Sequence, residues 1–367
     1  MASIEPGGAP VLLSEEPMRL SVADQFAATG PTPPIAGCGP GRTLELGCFF
    51  DGTRNNRWAI DEGSSETNVV RLHDAYVTGP RANDAAERDK HYLIGVGGRT
   101  APEEHQQPTV GTSYYYAAST GFGGKHRVNL MYEWVKAKIE AHCRTFAPGS
   151  LKLIDIFGFS RGALSARTFV NLVNQALKTE PGDAFRNIEV RFLGVFDTVE
   201  SLHEWGESPN CHVTNSDYRA ARHFTARHEI RVNFPLTLLD PGAQSVEYPG
   251  THSDVGGGWA EGTQDRPNWL SYLTCYDMAA ACRTQGIQMN GIPIPPGCDV
   301  GPSSVMRTGS DEELRRSFVH VSHGSWPNHP EELPRANARQ QPILGVRRVL
   351  RTSRMRLASR PPGFSWS

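Results

Sequence analysis

IDIFGFSRGA, residues 154–163, is the stretch of sequence that decides the fold. The apolar residues 151–157 include β-branched side chains and predict a strand. Apolar residues between positions 161 and 173 recur at helical spacing and predict a helix. The sequence Gly158-Phe159-Ser160-Arg161-Gly162 between them has the form G-x-S-x-G, which is typical of a turn that presents a nucleophilic serine.

Gly158 and Gly162, two residues before and after Ser160, have a steric explanation. A turn this tight strains the serine backbone, and larger side chains at Gly158 or Gly162 would collide with the neighbouring strand or helix. The hydroxyl would then project above the sheet, next to the N–H groups of a helix N-terminus that can stabilise an oxyanion. The competing interpretation is that Ser160 only caps the helix.

Composition limits the class of protein. The 367 residues favour one large domain with insertions, or one domain with a small appendage. Lys and Arg number 37 against 39 Asp and Glu, so the net charge of −2 does not suggest a nucleic-acid binder. Seven scattered cysteines without a C-x-x-C pair indicate neither a zinc site nor a dense disulfide framework, and we expect no cofactor. Free thiols are the simplest expectation, although one or two bridges could form after export.

The pattern along the chain predicts an α/β fold. Strands are expected at 43–50, 90–97, 151–157, 189–196, 244–248 and 317–322, and helices at 66–76, 128–146, 161–173 and 268–284. This alternation, with a polar loop after nearly every strand, favours a mostly parallel central sheet flanked by helices. The predicted organisation is an N-terminal extension at 1–42, a catalytic domain at 43–350 and a basic tail at 351–367.

A serine nucleophile needs a base, and the base needs an acid to orient it. In the α/β-hydrolase order the acid follows the serine and the histidine follows the acid. Asp254 is the preferred acid, because it lies in a glycine-rich loop after the second predicted strand beyond Ser160, and Asp197 is the alternative. With Asp254 as the acid, His252 comes too early, so His320 is the preferred base and His323 its competitor.

Two further predictions concern the loops after the strands. The oxyanion hole is expected from the N–H of Arg161 and that of Gly52 or Thr53, in the loop after the first strand. A rival hypothesis is a metal-dependent phosphoesterase, because residues of the ligand type lie at strand ends. Its candidate ligands are Asp51, Asp197, His252 and Asp254.

Several spaced motifs together resemble the DUF2235 domain family, which includes the first family of phospholipase effectors of the bacterial type VI secretion system. The motifs are FFDGTRNN at 49–56, TNVVRL at 67–72, residues 92–97, 121–123, 158–167 and 193–199, and GTHSDVGGGW at 250–259. The resemblance implies an α/β-hydrolase fold and a serine lipase with phospholipase A activity on membrane glycerophospholipids. It maps the serine onto Ser160, the acid onto Asp254 and the histidine onto the segment at His320.

The resemblance also implies a partner and a location. Such effectors act in the periplasm of rival cells, and a cognate immunity protein protects the producer. We expect synthesis in the cytoplasm, because no signal peptide is visible, then delivery by the type VI system with a secretion spike protein as a possible partner. The arginines between positions 347 and 360 could bind anionic head groups or form a solvated tail.

Overall fold

The computed structural model describes residues 42–58, 60, 64–79, 86–98, 123–200, 210–231, 234–239, 245–296, 298, 317–321 and 347–348. Residues 1–41 of the predicted extension, the whole basic tail at 351–367, and His323 lie outside these residues. The proposed domain boundaries therefore stay predictions.

A parallel sheet forms the centre of the molecule. Its strands, in chain order, are β1 (Thr43–Phe50), β3 (Ala86–Leu93), β4 (Lys152–Phe159), β5 (Ile188–Phe196), β6 (Ala220–Ala226), β7 (Ser245–Tyr248) and β9 (Arg347–Arg348). Their spatial order is β3-β1-β4-β5-β6-β7-β9, and every neighbouring pair is parallel. The prediction of a mostly parallel α/β fold is confirmed.

Helices and a small second sheet surround this centre. The helices are α1 (Asn68–Ala75), α2 (Gly124–Thr145), α3 (Arg161–Gln175), α4 (His252–Gly256) and α5 (Trp269–Thr284), with short 3-10 turns at Leu177–Thr179, Asp183–Phe185 and Thr263–Asp265. The strands β2 (Ser64–Thr67) and β8 (Gly257–Trp259) form an antiparallel pair. Within the described part of the chain, no helix is both long and apolar enough to cross a bilayer.

Two apolar cores lie against the sheet. One core includes Phe49, Phe157 and Phe196 together with buried residues of α1 and α5. The other joins Leu46 and Ile156 to the inner sides of α2 and α3. The strands β1 and β4 are buried along almost their whole length, as expected of a parallel sheet covered on both faces. The sheet is therefore a rigid support for the loops at its carboxyl edge.

Three of the wrong predictions about local structure affect the site. Residues 64–67 form β2, because the Thr67 side chain accepts the Val70 N–H and starts the helix only at Asn68. Strand β6 is not among the predicted strands, so Asp254 follows the third strand beyond Ser160, not the second. Residues 317–321 form no strand, because Phe318 is packed on Trp269 of α5 instead.

Candidate active site

Ser160 lies in the turn between β4 and α3. Its backbone has φ of 59° and ψ of −128°, a strained conformation that residues other than glycine rarely adopt. A Cβ at Gly158 would lie 2.6 Å from the Gly162 carbonyl oxygen, and one at Gly162 would collide with the backbone of Asp51. Both glycines are therefore needed for this turn, and Ser160 is held at the carboxyl edge of the sheet.

Asp197 lies beside this turn, directly after the neighbouring strand β5. The Ser160 N–H donates to Phe196 O at 3.0 Å, and the Val199 N–H donates to Ser160 O at 3.3 Å. Asp197 is fully buried, with φ of 40°, and its Oδ1 accepts the Ala226 N–H at 2.9 Å. These backbone hydrogen bonds hold Asp197 next to Ser160. The Ala226 N–H binds Oδ1 of its carboxylate, and Oδ2 faces another partner.

That partner is His252, the first residue of α4. Its Nδ1 lies 2.6 Å from Asp197 Oδ2, and its ring packs on Phe159 with 4.5 Å between the ring centroids. Burial lowers the pKa of His252 below its usual 6.5, although the hydrogen bond and the charge of Asp197 act in the opposite direction. A neutral imidazole oriented by a carboxylate therefore lies against the residue that precedes Ser160.

Asp254 and His320 form a second pair. Their Oδ1 and Nδ1 are 2.5 Å apart, and the His320 N–H donates to Asp254 Oδ2 at 3.0 Å. The same Oδ2 accepts the N–H and hydroxyl of Thr251, so this carboxylate also caps α4. His320 is fully buried, Trp259 stacks on its ring, and within the described part of the chain its Nε2 has no hydrogen-bond partner.

The two pairs are separated by the geometry of α4. His252 and Asp254 are two positions apart on one helix, so their side chains point about 200° apart. The side with His252 contacts Phe159, whereas the side with Asp254 contacts the 317–321 segment. Among the described residues, Ser160 Oγ forms no hydrogen bond with either imidazole, a common feature of catalytic sites without substrate.

The loop after β1 packs against the serine turn. The side chain of Arg161 donates to Thr53 Oγ1 at 3.0 Å, and burial lowers the pKa of Arg161 to about 10. The Gly52 N–H is already engaged by its neighbour, at 2.8 Å from Asp51 Oδ1. The Thr53 N–H has no acceptor among the residues that the structure describes. Of the two predicted loop donors, the geometry favours Thr53.

Asp51 holds this loop in place. Besides the Gly52 N–H, its carboxylate accepts the Thr67 hydroxyl at 2.8 Å and the Tyr92 hydroxyl at 2.5 Å. Burial raises the pKa of Asp51 to about 6, and these hydrogen bonds act in the opposite direction. Asp51 is thus anchored between β1, β2 and β3.

The residues of the metal hypothesis do not converge. Asp197 and His252 contact each other, but Asp51 is enclosed by its hydroxyl partners, and Asp254 faces His320. Across the described ranges, no group of three or more His, Cys, Asp or Glu side chains could hold a metal ion. From sequence, His252 is predicted only as a metal ligand. The chain order Ser160, Asp197, His252 is also that of a nucleophile, an acid and a base, and this order is visible in the sequence.

The sheet, the serine turn and the acid–imidazole pair at its carboxyl edge place the chain in the α/β-hydrolase-like class. The family model "T6SS, Phospholipase effector Tle1-like, catalytic domain" matches residues 45–183 and 176–281. The chain belongs to this family of Tle1-like phospholipase effectors of the type VI secretion system. The resemblance to type VI phospholipase effectors inferred from the motifs is confirmed.

One solved structure with a TM-score above 0.5 agrees on the fold. A structure described as the Tle1 effector bound to the VgrG spike from the type 6 secretion system is 18% identical, with a TM-score of 0.53. The match covers 74% of this chain and 81% of that one. An uncharacterized protein from Pseudomonas aeruginosa is 20% identical, with a TM-score of 0.47, over 75% of this chain and 52% of that one. No curated protein matches.

Proposed function

We propose that the protein is a serine hydrolase that cleaves acyl ester bonds of membrane glycerophospholipids, a phospholipase A activity. Ser160 is the nucleophile, His252 the base and Asp197 the acid. One observation carries this assignment: His252 Nδ1 lies 2.6 Å from Asp197 Oδ2 while its ring packs on Phe159, the residue before the nucleophile. Membership of a phospholipase effector family supports the choice of lipid as substrate.

The pair of Asp254 and His320, predicted from sequence as the acid and base, is the competing assignment. Its contacts support a structural role more than a catalytic one. The imidazole is fully enclosed and stacked under Trp259, and the Asp254 carboxylate is used in capping α4. A general base needs an Nε2 that reaches the attacking hydroxyl, and the His320 ring stacks on Trp259, whereas the His252 ring packs on Phe159, next to the nucleophile.

The proposed reaction has two steps. The Ser160 hydroxyl attacks the acyl carbonyl carbon while His252 Nε2 takes its proton, and the glycerol oxygen leaves with that proton. Water then attacks the carbonyl carbon of the acyl-serine and gives a proton to His252, which passes it to Ser160 Oγ as the fatty acid is released. Asp197 holds the Nδ1–H tautomer and stabilises the imidazolium that forms in each step.

The oxyanion of each tetrahedral intermediate needs two donors. We assign the N–H of Arg161, in the first turn of α3, and the N–H of Thr53. N–H groups of a first helical turn point away from the helix's own carbonyls and favour negative charge. The hydrogen bond from the Arg161 side chain to Thr53 Oγ1 ties the two donors together. No cofactor takes part in this scheme.

The test begins with Ser160→Ala and phospholipid vesicles of phosphatidylethanolamine and phosphatidylglycerol. We expect the wild-type protein to release free fatty acid and lysophospholipid, measured by mass spectrometry, and the folded variant to release neither. Phosphate-containing head groups as products, with loss of activity in chelator, would instead favour the metal phosphoesterase. A fluorophosphonate probe should label the wild type only. Absence of labelling and turnover would indicate a catalytically silent lipid-binding or partner-binding module.

We also propose that the chain is delivered by the type VI system to the periplasm of rival cells, carried by a spike protein and neutralised in the producer by an immunity protein. Family membership supports delivery by this system, and the related effector was solved in complex with its VgrG spike. Secretion that persists without the spike protein of the same strain would contradict this partner.

A further inference from the structure

The backbone of His252 is held by a buried carboxylate that belongs to none of the predicted sites. Glu229 follows β6, and its side chain is fully buried. Its Oε2 accepts the His252 N–H at 3.1 Å. A carboxylate at a helix N-terminus is favourable for the helix. Here it also fixes the position of the residue that carries the proposed catalytic imidazole.

Glu229 is itself fixed by Arg231. The Arg231 guanidinium binds the carboxylate at two points, Nε to Oε1 at 2.9 Å and Nη2 to Oε2 at 2.8 Å, and the Arg231 N–H donates to Oε1 at 2.9 Å. Two-point binding by arginine sets the orientation of a carboxylate as well as its position. The oxygen that faces His252 therefore has little freedom.

Arg231 also contacts Phe234, whose ring in turn packs against the imidazole of His252. The Arg231 guanidinium carbon lies 3.5 Å from the Phe234 ring centroid. The Phe234 ring meets the His252 ring edge to face, with 4.9 Å between centroids and 80° between planes. With Phe159 also against the imidazole, the ring is enclosed by two aromatic side chains.

We propose that Glu229, Arg231 and Phe234 form a positioning clamp that sets the orientation of His252 toward Ser160. This inference rests on the proposed function, in which His252 is the base. Asp197 fixes one ring nitrogen, and the clamp fixes the backbone and the plane of the ring. A misplacement of about 1 Å in a catalytic group can cost roughly 100-fold in rate. None of the three residues touches the reacting atoms in this scheme.

The clamp also determines the charge around His252. Burial lowers the pKa of His252, and among the charged groups that the structure describes around it, Asp197 and Glu229 raise that pKa, whereas Arg231 lowers it. The base must be neutral to accept a proton, so the acid limb of kcat/KM follows this pKa. Glu229→Gln should therefore move the limb to lower pH, and Arg231→Gln should move it to higher pH. If Glu229 and Arg231 only stabilised the fold, the two substitutions would not shift the acid limb of the kcat/KM profile in opposite directions.

The experiment measures kcat, KM and the pH profile with p-nitrophenyl butyrate, a soluble ester. For Glu229→Gln and Phe234→Leu we expect kcat to fall at least tenfold, with KM within twofold of wild type. Arg231→Lys keeps the positive charge and should retain more activity than Arg231→Gln. The matched control is Glu189→Gln, because Glu189 also binds an arginine at two points, Arg219, at 2.6 Å for each contact. Its kinetics should equal wild type.

The outcomes separate the two proposals. If His252→Ala is inactive but folded Glu229→Gln and Phe234→Leu have wild-type kcat and unshifted acid limbs, the clamp is refuted while the base assignment stands. If His252→Ala keeps wild-type activity, the base assignment is refuted, and the clamp with it. Circular dichroism and thermal unfolding check the fold of each variant. If a Glu229 variant does not fold, Phe234→Leu and the Arg231 pair decide the question alone.

Discussion

Asp197→Asn should lower activity, whereas Asp254→Asn should lower stability. The Asp197 carboxylate accepts the Ala226 N–H and lies within hydrogen-bond distance of His252 Nδ1. Asparagine can keep the first through its oxygen, but its amide group then faces Nδ1 as a donor. The imidazole must accept there, so Nε2 carries the proton and cannot take one from Ser160. A wrong tautomer costs about 10³–10⁴-fold in kcat, or roughly 4–5.5 kcal/mol of transition-state stabilisation.

Asp254→Asn should act on folding instead. Asp254 Oδ2 accepts three donors, and Oδ1 faces His320 Nδ1. An asparagine oxygen in the place of Oδ2 keeps the three bonds, but the amide then faces His320 Nδ1 as a neutral donor and the charge assistance of that hydrogen bond is lost. One lost charge-assisted hydrogen bond costs about 2 kcal/mol of unfolding free energy. We expect a lower urea midpoint and kcat within about threefold of wild type.

The assay is fatty-acid release from the vesicles described above, alongside urea unfolding of each variant. His320→Gln serves as the control for Asp254→Asn, since it removes the other partner of the same pair. A loss of 10³-fold in folded Asp254→Asn, with Asp197→Asn near wild type, would refute the assignment of His252. It would transfer the catalytic role to His320.

Three further predictions follow from the same geometry. Because burial lowers the pKa of His252, the acid limb of the wild-type kcat/KM profile should have its midpoint below pH 6.5, and a midpoint above 7 would contradict a buried neutral base. The pKa of Asp51 is raised from 3.8 to about 6, so its protonation favours folding and that contribution is lost as pH rises through about 6. In urea unfolding, the free energy of unfolding of Asp51→Asn relative to that of wild type should therefore rise by up to about 3 kcal/mol between pH 4 and pH 8. An equal difference between the two proteins at both pH values would refute this prediction. Gly162→Ala should lower the free energy of unfolding by about 1–3 kcal/mol in urea titrations, because its Cβ would collide with the Asp51 backbone, whereas Gly149→Ala, with open space around it, should not.

Much of the fold was predictable because its signals are local. The buried strands β1, β4 and β5 are short apolar runs, and α3 and α5 keep helical spacing over several turns. The strand β6, with the sequence AARHFTA, is buried but carries Arg222 and His223, so its pattern did not indicate a strand. The apolar run at 317–321 was predicted as a strand, because packing on a helix and pairing in a sheet can produce the same pattern.

The site was less predictable, because its pairings depend on that sheet order. The position of Ser160 follows from the G-x-S-x-G motif and its flanking elements. The preference for Asp254 over Asp197 depends on counting strands, and the strand count predicted from sequence lacks β6. The roles of Gly52 and Thr53 could not be separated from sequence, because only the structure reveals that Asp51 Oδ1 engages the Gly52 N–H. Glu229 gave no signal, since a lone glutamate after a strand is usually exposed.

The five residues of α4 connect these observations physically. Its first residue, His252, faces Asp197 and Phe159, and its third, Asp254, binds His320 on another side. The N-terminus is held from one direction by Glu229 and from another by the Asp254 carboxylate that caps Thr251. A helix this short has almost no stability of its own, so its position must come from such contacts. The pair of Asp254 and His320 can therefore affect catalysis without touching substrate, through the orientation of His252. A His320 variant that lowers both stability and kcat modestly, without moving the acid limb, would have the signature of this indirect role.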